Sequence, residues 1–398
     1  MLRATGIYND LRCDQLTKLT SNSAKVIKIM AGEKHTMRKA IRKLPIVTVS
    51  LLTCISMVAN ADACFGKKKS DNNHIAEKKT DKDASDTKVD KVASEKKSKK
   101  KDKSDKNDKG GDSNRTVRET AGTKVDLVEG MPPFLYWQST SESPKGMVLC
   151  LHELGMHSGV FDDLAKKLVA SGYSVYSMDL RGFGGWKDKG SEGKMDLKDT
   201  LGDIKSATEA IRKKHPNSKV FLLGEAMGGA LALEAASKFS DIISGAISSA
   251  PGGEHFGTLG NYLSVGTRFT AFNKRFNKGE ELVKVATPKK DLQEALMKDA
   301  NVRLDLAPNE LMACQFYMYK TRQFAKQIKT LPIMIVQGQK DGESRPQGAK
   351  KVFDNLSTED KEFLALENGD HYVFEDIDVD KKAMTATVAW LDKHSAQN

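Results

Sequence analysis

Residues 219–229, KVFLLGEAMGG, constrain the fold of this chain more than any other stretch. The apolar run at 220–223 predicts a buried strand, and the pattern ALALEAASKF after Gly229 predicts a helix. A strand, a tight glycine turn and a helix form the setting of the G-x-S-x-G motif, which exposes a serine at the apex of the turn. Gly224 and Gly228 fit positions where such a turn leaves no room for a side chain.

The apex of this turn is Ala226, where the motif has serine. Covalent catalysis needs a nucleophile that a base can activate, and a methyl group cannot attack a carbonyl. Ser248 and Ser249 end a different predicted strand, so we do not expect them to replace the missing hydroxyl. The sequence therefore predicts a strand–turn–helix scaffold without its usual nucleophile.

The net charge of +11 is concentrated near the amino terminus, because residues 1–109 carry +12 and residues 110–398 carry −1. The globular part is close to neutral, which argues against a nucleic-acid-binding domain. The five cysteines, at positions 13, 54, 64, 150 and 314, have no zinc-binding spacing and make no disulfide framework. The composition therefore indicates no metal site.

The amino-terminal segment has the layout of a signal peptide. A basic stretch, MRKAIRK, begins at Met37, the apolar run LPIVTVSLLTCISMV follows, and Ala61-Asp62-Ala63 forms a small-x-small cleavage site. We therefore expect export to the periplasm, the cell envelope or the exterior, with residues 1–63 as an extension and signal peptide. An uncleaved membrane anchor is the alternative, although the apolar run is short for a membrane span.

Residues 64–116 are rich in lysine, aspartate and serine and nearly free of large apolar side chains. Such a segment cannot bury enough surface to offset the entropy lost on ordering, so we predict a disordered tether. Its lysines favour weak association with an anionic membrane surface. The tether is therefore expected to connect the signal peptide to a folded domain at 117–398.

From residue 117 onward, short apolar strands alternate with helical patterns, which predicts an α/β fold with a mostly parallel sheet flanked by helices. The expected strands lie at 131–139, 146–152, 174–180, 220–223, 245–249, 332–337 and 362–366, and further helices at 160–170, 196–215 and 381–394. Residues 252–331 interrupt this rhythm with a largely helical pattern that is too long for a simple connection. They predict an inserted cap.

Other polar motifs follow the predicted strands. His152-Glu153-Leu154-Gly155 stands where a tight loop can supply a backbone N–H to an oxyanion hole. Asp341 follows the strand at 332–337, and His371 lies in a glycine turn after the strand at 362–366. A carboxylate at the carboxyl end of a strand can orient a histidine that acts as general base. Their order along the chain is the one that the G-x-S-x-G fold requires.

Taken together, these motifs resemble α/β-hydrolases of the monoacylglycerol lipase type, which are grouped with the serine aminopeptidase-like S33 hydrolases. The resemblance covers residues 132–394 and is carried by VLCLHELGMHSGVFDDLAKKLVASGYSVYSMDLRGFGGW, LLGEAMGGALALEAA, LPIMIVQGQKD and GDHYVFED. It implies an α/β-hydrolase fold with a helical cap, an ester substrate such as a monoacylglycerol or lysophospholipid, and no cofactor.

The resemblance also implies a catalytic triad and an oxyanion hole. The implied triad positions are Ala226, Asp341 and His371, and the implied oxyanion donors are the backbone N–H groups of Leu154 and Met227. Ala226 stands where the family has serine, and Glu153 stands where it usually has glycine. Both departures lie at the centre of the site, so the family's activity does not transfer to this chain by analogy.

Three functions remain compatible with the sequence. In the first, Ala226 is natural and the protein is a non-catalytic binder of a lipid-like or ester ligand under the cap. In the second, the alanine replaces the natural serine of an ordinary carboxylic-ester hydrolase. In the third, the His371–Asp341 pair activates water or deprotonates a substrate without a serine. We favour the first, because loss of a triad member leaves only about 10³–10⁴-fold catalysis over water.

Aromatic and apolar residues in the predicted cap, at 256–276 and 316–319, suit a single acyl chain. Packing between cap helices explains the same pattern. We therefore expect a small ester or lipid-like ligand as the partner of this domain, and no nucleic acid.

Overall fold

The computed structural model describes residues 115–190, 194–254 and 276–396, so the predicted signal peptide and tether lie outside these ranges except for the last residues of the tether. An eight-stranded sheet forms the centre of the described chain. Its strands are β1 Thr123–Val125, β2 Phe134–Trp137, β3 Met147–Leu151, β4 Ser174–Met178, β5 Val220–Glu225, β6 Gly245–Ser249, β9 Ile333–Gly338 and β10 Lys361–Leu366. β7 Phe276–Asn277 and β8 Asp305–Leu306 form a separate two-stranded sheet.

The strand order in the large sheet is β1-β2-β4-β3-β5-β6-β9-β10. The pairs β1–β2 and β2–β4 are antiparallel, and the other neighbouring pairs are parallel. Strands β3, β5, β6 and β9 are buried along their whole length, as expected for parallel strands covered on both faces. The predicted mostly parallel α/β sheet is therefore confirmed.

Nine α-helices accompany the strands within the described residues. They are α1 Asp162–Ala170, α2 Leu197–Lys214, α3 Met227–Lys238, α4 Gly279–Ala286, α5 Lys290–Lys298, α6 Pro308–Tyr319, α7 Thr321–Gln327, α8 Pro346–Asp354 and α9 Lys381–Ser395. Neighbouring residues of a strand face opposite sides of the sheet. Leu149 joins the apolar cluster formed with α2, α3, α7 and α8, whereas Cys150 joins the cluster formed with α1 and α9. Helices thus cover both faces.

The segment between β6 and β9 is helical, as expected of an inserted cap. Its described part contains α4 to α7 and the small sheet of β7 and β8. Helix α6 packs against α3, the helix that follows the glycine turn. Tyr317 and Met318 of α6 are buried in the same apolar cluster as Ala226, whereas Phe316 and Tyr319 are exposed. Part of the aromatic pattern of the cap is therefore ordinary packing.

Several elements were not expected from the sequence. Strand β1 and the small sheet of β7 and β8 were missed because these strands are only two or three residues long. Helix α8 was missed although its apolar residues share one face, because Pro346 and Gly348 in its first turn resemble a loop. The helix expected at 160–170 begins instead with a 3₁₀ turn, Ser158–Phe161, that precedes α1. Within the described ranges, no helix has both the length and the apolar character needed to cross a membrane.

Candidate active site

Ala226 lies at the turn between β5 and α3. Its backbone has φ 44° and ψ −106°, a conformation that residues with a side chain rarely adopt. The Ala226 N–H donates to the carbonyl oxygen of Ser249 at 2.9 Å, and the residue is 5% exposed. The turn therefore has the strained geometry of a nucleophile elbow, with a methyl group in place of the hydroxyl.

The two glycines of the turn are required by close backbone contacts. A Cβ atom at Gly224 would lie 2.2 Å from the carbonyl oxygen of Gly228, and one at Gly228 would lie 1.9 Å from that of Leu151. Neither contact can be accommodated without a shift of the backbone. The turn thus packs directly on the end of β3, beside the loop that begins at His152.

His371 and Asp341 lie together beyond the carboxyl ends of β10 and β9. The His371 Nδ1 atom donates to Asp341 Oδ2 at 2.8 Å, and Asp341 Oδ1 accepts the backbone N–H groups of Glu343 and Ser344 at 2.9 and 2.8 Å. Burial alone would raise the pKa of Asp341, but the charge of His371 and these hydrogen bonds lower it. The ionised Asp341 fixes the imidazole, so that Nε2 points away from it.

Glu153 occupies the space in front of the Nε2 atom of His371. Glu153 Oε1 is 3.4 Å from Nε2, and the Glu153 side chain is 7% exposed. Glu343 approaches the same nitrogen, with Oε2 4.0 Å away. In a catalytic triad this nitrogen exchanges a proton with the serine hydroxyl. In this chain it faces the carboxyl groups of Glu153 and Glu343 instead.

These carboxylates change the charge state of His371. Burial lowers the pKa of the imidazole, but the negative charges of Asp341, Glu153 and Glu343 outweigh burial and raise the pKa well above its usual value. Burial raises the pKa of Glu343 itself to about 8, so Glu343 adds its negative charge to this effect mainly above neutral pH. An imidazole that keeps its proton at neutral pH is a poor general base. The charges at this site therefore oppose the usual chemistry of a triad.

The predicted oxyanion donors lie in the two turns that meet beside Ala226. Met227 is the first residue of α3, so its N–H has no acceptor within the helix. Leu154 lies in the loop after β3, and His152 holds this loop in place. The Nδ1 atom of His152 donates to the carbonyl oxygen of Glu153 at 2.7 Å, and its Nε2 atom accepts the Leu180 N–H at 2.9 Å. Burial lowers the pKa of His152 to about 4, so this neutral pattern of hydrogen bonds persists at neutral pH.

Glu225 is a structural residue of the site that the sequence analysis missed. It is fully buried at the end of β5, directly before Ala226. Its carboxyl oxygens accept the backbone N–H groups of residues 373–375 at 2.8–2.9 Å and the hydroxyl of Ser249 at 2.7 Å. These bonds tie the elbow to the loop that follows His371. A buried carboxylate beside a turn leaves no periodic signal in the sequence, and only its place next to the elbow could have indicated it.

Neither Ser249 nor Cys314 replaces the missing serine. The Ser249 hydroxyl donates to Glu225 and is fully buried. Cys314 lies in α6, and the pKa of its thiol is raised, first by burial and then by the negative charges of Glu153 and Glu343. A thiol that stays protonated is neither a strong nucleophile nor a metal ligand. Within the described residues, neither side chain therefore offers His371 a nucleophile in place of the one missing at Ala226.

Comparisons with known proteins identify the family to which this fold belongs. Residues 142–378 match the family described as serine aminopeptidase, S33. Mouse monoglyceride lipase is 23% identical over 277 residues, which cover 66% of this chain and 86% of that protein. The Saccharomyces cerevisiae monoglyceride lipase is 24% identical over 296 residues, 66% of this chain and 90% of the yeast protein. A shorter match, 33% identical over 102 residues, covers 32% of human monoglyceride lipase.

Solved structures show the same fold. The crystal structure of a soluble variant of the Saccharomyces cerevisiae monoglyceride lipase, in complex with a substrate analogue, superposes with a TM-score of 0.61 at 23% identity and covers 70% of this chain and 99% of that one. The monoacylglycerol lipase of Paleococcus ferrophilus gives a TM-score of 0.53 at 24% identity, over 66% of this chain and 98% of that one. The α/β-hydrolase fold and the resemblance to the monoacylglycerol lipase type are confirmed. The chain belongs to the serine aminopeptidase S33 family of α/β-hydrolases.

Proposed function

We propose that this chain binds a small ester or lipid-like ligand beneath its cap without hydrolysing it. The conformation of Ala226 carries the proposal, because the elbow is built and the group it presents is a methyl. No acyl-enzyme can form at a carbon side chain. The second alternative is an ordinary ester hydrolase whose natural serine was replaced. It predicts the same site and differs only in the origin of Ala226.

The third alternative, a serine-independent base, fits the site less well. A general base must present a free lone pair to water or substrate. The Nε2 atom of His371 instead faces Glu153 at 3.4 Å and Glu343 at 4.0 Å, and these charges favour the protonated imidazole. The arrangement therefore supports recognition of a ligand more than proton abstraction from it.

Half-buried apolar residues that pack against the cluster containing Ala226 support a ligand with an acyl chain. Leu154, Leu311 and Cys314 are half-buried and pack against the apolar cluster that contains Ala226. Leu311 and Cys314 belong to α6, so the cap supplies part of this wall. Pockets that bind small ligands combine such apolar walls with a few polar groups, which Glu153 and His371 supply here. The lipase-named relatives make a monoacylglycerol-like ester the first ligand to test.

Equilibrium dialysis of the full chain against a 1-monoacylglycerol and its non-hydrolysable ether analogue tests this proposal. We expect the protein to retain both compounds, with a dissociation constant of about 10 µM or below. We also expect the ester to be recovered intact by mass spectrometry, with free fatty acid forming no faster than in buffer. The expected intact recovery follows from the absence of a nucleophile at position 226.

Two substitutions on α6 sharpen the experiment. Leu311→Glu places a charge in the apolar wall and is expected to weaken binding of both compounds by at least about tenfold. Phe316→Ser is the matched control, since Phe316 is 40% exposed on the same helix, and it should bind like the unsubstituted chain. Retention of neither compound, or release of fatty acid well above the buffer rate, would refute the proposal.

A further inference from the structure

We propose that Glu153, Glu343 and His371 form a binding site for one divalent transition-metal cation, Zn²⁺ or Mn²⁺. The sequence gave no indication of this site, because its three residues lie far apart in the chain and have none of the usual metal-binding spacings. The inference does not depend on the proposed ester ligand, since cation binding is measured without any ester present.

The geometry of the three side chains suits a single ion. Each offers one ligand atom, and these atoms lie within 4.8 Å of one another. Two ligands that are about 2.0–2.2 Å from a tetrahedral ion lie roughly 3.3–3.6 Å apart. The 3.4 Å between Glu153 Oε1 and His371 Nε2 falls in this range, and the 4.0 Å between Glu343 Oε2 and Nε2 needs only a small side-chain rotation.

Two buried atoms in this cluster have no hydrogen-bond partner among the described residues. One is the Nε2 atom of His371, whose side chain is 0% exposed, and the other is Oε2 of Glu153. Leaving a buried polar atom unpaired costs about 1–3 kcal/mol. The Nε2 atom lies 3.4 Å from the other oxygen of the same Glu153 carboxylate. A cation bound between these two groups would give the buried Nε2 atom a partner, which supports the site independently of the clustering of acids.

The side chains are also held as metal ligands usually are. The Asp341 carboxylate accepts the Nδ1–H of His371 at 2.8 Å, so Nε2 is the ligand atom, and metal binding displaces its proton to solvent. Ligating histidines commonly have such a carboxylate partner behind them. The backbone N–H of Glu153 donates to Glu375 Oε1 at 2.7 Å, and that of Glu343 donates to Asp341 Oδ1 at 2.9 Å. The three residues are therefore positioned before any ion arrives.

The charges around the cluster favour a cation. The carboxyl groups of Asp341, Glu153 and Glu343 lie 2.8, 3.4 and 4.0 Å from the two ring nitrogens of the buried His371. Lys278 also acts on Glu343, but its Nζ atom is paired with Glu281 at 2.5 Å. Buried negative charge is costly unless it is paired or coordinates a metal. A divalent ion would compensate most of it.

The ligand types indicate which ions fit. Imidazole suits zinc and other late first-row metals, and carboxylates also suit manganese. Mg²⁺ keeps several of its waters and is rarely held by an imidazole, so it should bind more weakly at this site. Three protein ligands would leave at least one coordination position open for water or a ligand oxygen.

Isothermal titration of the full chain, stripped with EDTA and dialysed, tests the proposal with ZnCl₂, MnCl₂ and MgCl₂ in separate runs. We expect one equivalent of Zn²⁺ or Mn²⁺ to bind with a dissociation constant of about 10 µM or below, and Mg²⁺ to bind more weakly. Glu153→Gln and His371→Ala should each weaken binding at least about tenfold, and Asp341→Asn about 10–100-fold. Circular dichroism melting confirms that each variant is folded.

Glu209→Gln is the control, since Glu209 lies on α2 with its side chain 48% exposed, and it should bind the ions like the unsubstituted chain. Histidines and cysteines outside the cluster can hold Zn²⁺ adventitiously, so the decisive quantity is the difference between each variant and the unsubstituted chain. Equal affinity in the unsubstituted chain and Glu153→Gln, or no binding at millimolar metal, would overturn the proposal. If His371→Ala does not fold, the metal affinity of Glu153→Gln relative to the unsubstituted chain tests the proposal alone.

Discussion

Ala226→Ser is expected to give this chain an esterase activity that it lacks as sequenced. The elbow is already in the strained conformation of a nucleophile turn, and the His371–Asp341 pair is in place. We expect ester hydrolysis to rise by at least about 10²-fold, which is the lower range of what a positioned base contributes. The single substitution is expected to fall short of full activity, because Glu153 remains in front of Nε2.

The double variant Ala226→Ser with Glu153→Gly removes that obstacle and should be faster than Ala226→Ser by a further factor of about 10. Rates are measured on a short-chain nitrophenyl ester and a monoacylglycerol, with EDTA present so that bound metal does not contribute. Ala226→Ser with His371→Ala is the control, and it should return to the rate of the unsubstituted chain. If the double variant hydrolyses neither ester faster than the unsubstituted chain, other parts of the site have lost their function.

Glu225→Ala is expected to destabilise the domain by roughly 4–6 kcal/mol at pH 5. Truncation leaves three backbone N–H groups of the loop after His371, and the hydroxyl of Ser249, without their acceptor. Each buried unsatisfied donor costs about 1–3 kcal/mol. Glu225→Gln keeps one acceptor oxygen and should lose less. Glu209→Ala, at an exposed position, is the matched control and should change the unfolding free energy by less than about 0.5 kcal/mol.

This destabilisation should shrink as the pH rises. Burial raises the pKa of Glu225 to about 7 in the folded chain, from 4.5 in the unfolded chain. Its stabilising contribution is therefore complete below pH 4.5 and falls by about 3 kcal/mol as the pH approaches 7. Urea unfolding of the unsubstituted chain and of Glu225→Ala at pH 5 and pH 8 measures both effects. If Glu225→Ala destabilised the domain more at pH 8 than at pH 5, the raised pKa of Glu225 would be contradicted.

The scaffold of the site could be predicted from the sequence because its signals are local. The apolar run before Gly224, the glycines of the turn and the helix after it all lie within one short stretch. The structure places Ala226 at the apex of that turn and pairs His371 with Asp341. These features follow from strand ends that meet at one edge of a parallel sheet, which the strand order already implies.

The electrostatics of the site could not be predicted in the same way. Glu153 was recognised as a departure from the family, but its position opposite His371 depends on how the loop after β3 folds back. Glu343 and Glu225 carried no signal, since a charged residue near a turn is ordinarily exposed to solvent. Their burial arises from contacts between segments more than a hundred residues apart, such as Glu225 with residues 373–375.

Labelling with a fluorophosphonate ester, followed by mass spectrometry of the intact protein and its peptides, tests the central claim most directly. Such a reagent reacts with an activated nucleophile in a hydrolase site. We predict that the unsubstituted full chain gains no adduct on the peptide that contains Ala226, and that Ala226→Ser gains one. Stoichiometric labelling of the unsubstituted chain at any residue of the site would show that it has a nucleophile and would contradict the account.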